Sequence, residues 1–140
     1  MKPFHIFVPN LLNVCIDEID HEEFSGRLYH CYTREPIRFA SVVEVIREAE
    51  KMFDAISFPQ ASTKTRCFME KESVSVPRPE KVTDQKDVAA HKGAKGSFLI
   101  CVRFRQNSTW QGDFRHEESG AVESFSDIVE LIKKIDQILR

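Results

Sequence analysis

When the chain is laid over itself so that Gly26 falls on Gly112, its C-terminal part matches its N-terminal part without a gap, 86 positions away. Val14-Cys15-Ile16 falls on Ile100-Cys101-Val102, Phe24-Ser25-Gly26 on Trp110-Gln111-Gly112, His30 on His116 and Phe39 on Phe125. Val43-Glu44 and Ile46 then match Val129-Glu130 and Ile132. This match constrains the fold more than any other feature. Aromatic, glycine and small positions keep register through two strands and a helix, so whatever the first stretch builds the second builds again. Two β-β-α units, 11–54 and 97–140, are too few for a solenoid. The expected outcome is one domain with pseudo-two-fold symmetry, the single-chain analogue of a C2 dimer. With 140 residues the chain is long enough to bury a core without staples.

Within each unit, alternation at period two marks the strands. Ile100, Val102 and Phe104 alternate with Arg103 and Arg105 as far as the polar Asn107-Ser108-Thr109, and Trp110, Gly112 and Phe114 alternate beyond it. That pattern is a β-hairpin with one buried face. In the first unit Leu11–Ile19 holds Val14 and Ile16 inward. Phe24–Thr33 follows, with Phe24, Gly26, Leu28 and His30 on one side and Arg27, Tyr29 and Cys31 on the other. Phe4–Val8 is a further short strand candidate, stopped by Pro9-Asn10. Apolar residues at 42, 45, 46, 49, 52, 53 and 56, and at 128, 131, 132, 135, 138 and 139, form two stripes at helical period that read as core faces. Ser41 with Glu44 spells a capping box, and Asp127 with Glu130 is its acidic counterpart. Glu44 and Glu130 are therefore assigned to helix starts rather than to chemistry.

The expected fold class is α+β: internally duplicated β-β-α units forming an antiparallel sheet with two helices on one face. The inward face would carry Val14, Ile16, Leu28, Ile100, Val102, Phe104 and Phe114, and the open face Asp17, Arg27, Tyr29, Arg103, Arg105, Gln111, Asp113 and Arg115. Arginine presents planar paired donors and is enriched at interfaces, as tryptophan is at their hot spots. Arg27, Tyr29, Arg103, Arg105, Gln111 and Arg115, with Trp110 as an anchor, are the candidate partner-binding residues. The same residues also suit a plain solvated face with cross-strand Arg–Asp pairs, and Trp110 and Phe24 suit packing over the glycine two positions on. Between the units, 57–96 loses periodicity and carries prolines 59, 77 and 79, so a flexible insertion is expected, with Glu80–Gly96 mobile.

Composition narrows the function classes. A formal net charge of −2 disfavours a strongly basic nucleic-acid binder. The four cysteines (15, 31, 67 and 101) form no C-x-x-C pair and read as reduced cytoplasmic thiols. The N-terminus resembles neither a signal peptide nor a membrane span. Cys15/Cys101 and His30/His116 recur in register, but strand parity turns the cysteines and histidines to opposite faces, which cannot close a tetrahedral metal site. No phosphate-binding glycine loop or nucleophile motif is present. The expectation is a non-enzyme without cofactor or metal.

The run Arg103-Phe104-Arg105-Gln106-Asn107-Ser108-Thr109-Trp110-Gln111-Gly112, with Glu123-Ser124-Phe125 and Glu130-Leu131-Ile132 after it, resembles a family of small bacterial mobile-element proteins. That family carries R-x-R-Q-N-x-T-W-Q-G followed by an E-S-F-x-x-x-x-E-L-I helix. Gly26-Arg27-Leu28-Tyr29-His30 and Phe39-Ala40-Ser41 are similar to its N-terminal half, so the likeness spans most of the chain outside 57–96. It implies an accessory factor that binds a protein, such as an inhibitor of a host defence complex of the anti-CRISPR kind. The alternative is a nucleic-acid-binding accessory protein that uses the arginine and aromatic sheet face.

Overall fold

The computed structural model describes residues 3–21, 23–59 and 79–140. In chain order the elements are β1 (Leu12–Asp20), β2 (Glu23–Tyr29), β3 (Ile37–Phe39), α1 (Val42–Ile56), α2 (Gln85–Ala90), β4 (Gly96–Phe104), β5 (Gln111–His116), β6 (Val122–Phe125) and α3 (Ile128–Leu139). All six strands join one antiparallel sheet in the order β3-β2-β1-β4-β5-β6. The fold class is α+β. Each expected β-β-α unit carries one more strand than its sequence suggests, because β3 and β6 are three and four residues long, too short for alternation to show.

The strand registers of the two units correspond. Val14 pairs with Leu28 as Ile100 pairs with Phe114, Cys15 with Arg27 as Cys101 with Asp113, and Gly26 with Phe39 as Gly112 with Phe125. Between the units, β1 and β4 meet with Leu12 opposite Ile100, Val14 opposite Phe98, and Asn13 opposite Leu99 at the centre.

Both hairpins contain a bulge at the same place. Register shifts between Ile16 and Glu18 on β1 and between Val102 and Phe104 on β4, leaving Asp17 and Arg103 as the extra residues. An inserted residue reverses the parity of everything beyond it. Phe104, expected inward, is therefore 55% exposed, whereas Arg105, expected on the open face, is buried on the helix side at 6%. Ile19, its counterpart after the first bulge, packs against the same core. The glycines opposite the bulges are obligatory: a Cβ on Gly26 would lie 1.9 Å from the Cys15 carbonyl oxygen, and one on Gly112 2.0 Å from that of Cys101.

The main core joins Leu12, Val14, Ile16, Leu28, Phe98, Ile100, Val102 and Phe114 of the sheet to Ala49, Met52 and Phe53 of α1 and Leu131 and Ile135 of α3. The two long helices thus share one face of the sheet. Both are capped as their sequences indicate: the Ser41 hydroxyl accepts from the Glu44 N–H and the Asp127 carboxylate from the Glu130 N–H. Glu44 and Glu130 reach back to the N–H groups of Ala40 and Ser126.

The opposite face is not open. Leu11, Cys15, Tyr29, Cys31 and Leu99 are buried there beneath Val88 of α2 and the segment holding Phe4, Ile6 and Val8. The Asn13 amide donates to the carbonyls of Val88 and His91 at 2.7 and 3.0 Å, and the His91 ring stacks on Tyr29 with centroids 3.7 Å apart. The stretch 80–96, expected to be mobile, instead contains a helix that is hydrogen-bonded to the central strand. The apolar clusters expected at 67–69 and 74–76, and Cys67, lie outside the described residues. Phe4–Val8 packs over the sheet without joining it as a strand. Among the described residues no helix is long and apolar enough to cross a membrane.

Candidate functional site

The arginines singled out from sequence are bound up within the fold. Arg27 holds Asp17 with two bonds of 2.9 and 3.1 Å and also donates to the Tyr29 hydroxyl and the Lys92 carbonyl. That contact with Arg27 holds the Asp17 carboxyl below the usual carboxylate range. Arg115 pairs with Glu117 at 2.6 Å and lies over the Phe4 ring. Arg103 is half exposed beside the buried Asp113 carboxylate. Gln111 closes the second hairpin by accepting from the Gln106 N–H and donating to its carbonyl. Tyr29, Arg105 and Trp110 are buried at 7%, 6% and 2%.

Arg105 and Trp110 act together inside the molecule. Arg105 donates to the Pro59 carbonyl and to Glu50 and Asp54 of α1, while the Trp110 indole N–H donates to Glu50 at 2.8 Å. The Trp110 ring meets Phe53 edge-on. This cluster ties the second hairpin to the first long helix. Of the candidate residues, the fold joins Arg27 with Tyr29 and Arg105 with Trp110, and it sets the two pairs on opposite faces.

An accessible apolar slot lies between the helices. Val42, Val45 and Ile46 of α1 and Ile128, Leu131, Ile132 and Ile135 of α3 line a slot floored by Val14, Ile16, Ile100, Phe24, Phe39 and Trp110, with a cavity volume of about 40 Å³. A water needs about 10–15 Å³ by the same measure, so the slot takes the branched end of one side chain rather than a whole small molecule. Beside it stand Val43 and Val129, 61% and 60% exposed, each the second residue of its helix. One turn further on are the exposed Arg47 and Lys133.

Sequence reasoning missed this strip. Its signal was the match of Val43 with Val129, two valines outside the core stripes at equivalent places. Stripe counting credits a helix with one apolar face and ignores the residue beside it.

Chemical groups elsewhere are insulated. Burial pushes the Cys15 thiol up to about 11 and the His30 imidazole down to about 4, and His30 Nδ1 accepts from the Tyr32 N–H. Cys101 and Cys31 are likewise raised by burial. Among the described residues no group of three or more His, Cys, Asp or Glu is placed to hold a metal ion. No protein-family model, curated protein or solved structure matches the chain.

Proposed function

We propose that this chain is a non-enzymatic protein-binding module whose working surface is the paired-helix face. The observation that carries the reading is the exposure of Val43 and Val129 at equivalent places beside an apolar slot. Scattered exposed apolar residues need no explanation, but apolar residues contiguous with an open slot mark an interaction site. The resemblance to mobile-element proteins favours a target in a host defence complex, a CRISPR nuclease being one such target. The nucleic-acid reading draws less support, since Arg27, Arg103 and Arg115 each sit against a carboxylate. A binder of nucleic-acid backbone needs free cations to neutralise phosphates.

The test compares capture from a host lysate by the wild-type chain and by the double variant Val43→Asp, Val129→Asp. Carboxylates in a first helical turn suit the helix dipole, so the variant keeps its fold. Retained proteins that disappear with the variant, and persist after nuclease treatment, support the reading. Capture indifferent to both valines sinks it.

A further inference from the structure

Resting on the protein-binding reading, we infer that the paired-helix face meets a second copy of this chain, a valine of each copy entering the slot of the other. Two observations lead there. The first is shape. At about 40 Å³ the slot has room for the branched end of one side chain. The chain carries such ends beside its own slot, since Val43 and Val129 stand 61% and 60% exposed. A knob and the hole that fits it on one surface suit an isologous two-fold contact. There, whatever one copy offers must find its recipient on the same patch of the other.

The second is charge. Next to its exposed valine each helix bears a carboxylate and, one turn on, a cation: Glu44 before Arg47 on α1, and Glu130 before Lys133 on α3. These charges do not meet within the chain. Glu44 and Glu130 turn back to the N–H groups of Ala40 and Ser126, and among the described residues no ion pair involves Arg47 or Lys133. The charges further along are already matched, Glu50 and Asp54 with Arg105, Lys51 with Glu48, Lys134 with Glu123 and Asp136 with Arg140. A copy turned about a two-fold axis that crosses the helices between carboxylate and cation presents the two signs in reverse order. Its carboxylates then stand over cations, and its cations over carboxylates. A border of mixed sign gives no preference to an acidic or a basic partner, but it is complementary to itself. A target of the chain then competes with the second copy for this face.

The experiment is analytical ultracentrifugation of the full chain from about 1 μM to about 1 mM, the range in which a small interface associates. The mass is expected to double across that range. Val43→Asp, Val129→Asp should weaken the dimer at least about tenfold by placing carboxylates at the slots, and Arg47→Glu, Lys133→Glu should do the same by making both borders acidic. Arg47→Lys, Lys133→Arg keeps the signs and should keep the dimer. Far-UV circular dichroism and unfolding midpoints, taken on dilute samples, should match the wild type in all three variants.

A chain that stays monomeric at every concentration overturns the inference, and so does a dimer indifferent to the valines or to the reversed charges. If that happens while Val43→Asp, Val129→Asp still abolishes capture from lysate, the protein-binding reading stands and another protein fills the slot. If capture is also indifferent to the valines, both fall.

Discussion

Two glycines and one histidine carry more of this fold than their size suggests. Gly26 and Gly112 sit opposite bulges where any side chain would meet the backbone of the adjoining strand. Gly112→Ala is therefore expected to cost about 3 kcal/mol by denaturant unfolding, and Gly26→Ala about the same. His30 is held neutral, its folded value near 4 against an ordinary 6.5. A depressed histidine contributes fully above the ordinary value. The unfolded chain binds the extra proton as pH falls from about 6.5 to 4, and roughly 3 kcal/mol should be lost across that window. His30→Gln should flatten that part of the stability–pH curve; an unchanged curve would show that His30 does not cause it. The glycines were legible from sequence, because both copies place an aromatic two residues earlier. Arg105 was not: alternation assigns it outward, and a bulge leaves no mark in the period of residues before it.

Among the elements, the two long helices were the most legible, since stripe and cap agreed in both. Their caps use different chemistry for the same geometry, a hydroxyl at Ser41 and a carboxylate at Asp127. Each alanine substitution should lower stability by about 1 kcal/mol, and the pair should add, because the sites share no partner. A deficit from additivity in a double-mutant cycle would mean that the helix starts are coupled. The short strands β3 and β6 and the docked helix α2 escaped the sequence reading for opposite reasons. The strands hold too few residues for a period, and α2 is fastened less by its own pattern than by the Asn13 amide reaching out from β1. Asn13→Ala should raise hydrogen exchange in 85–91 while leaving α1 and α3 unchanged.

At the scale of the molecule, the two units meet through β1 and β4, the innermost pair of the sheet. Amides of these strands should exchange most slowly, near the global unfolding limit, and those of β3 and β6 fastest; slowest exchange in an outer strand would contradict this ordering. The overall plan was readable from one self-comparison, yet the face expected to be open is covered by α2 and the segment holding Phe4, Ile6 and Val8, because charge patterns do not reveal which charges a fold keeps for itself. The slot between the helices has a consequence for anything elongated that lies in it. Most of its walls come from equivalent places in the two units: Val14 answers Ile100, Phe24 answers Trp110, Val42 answers Ile128, Val45 answers Leu131 and Ile46 answers Ile132. A rod turned end for end meets almost the same contour, so the groove has little sense of head and tail. Direction is marked by what the two halves do not share: one indole, held in place by Glu50, where the other half has a phenyl ring, and Ile16, Phe39 and Ile135, whose counterparts stand outside the slot.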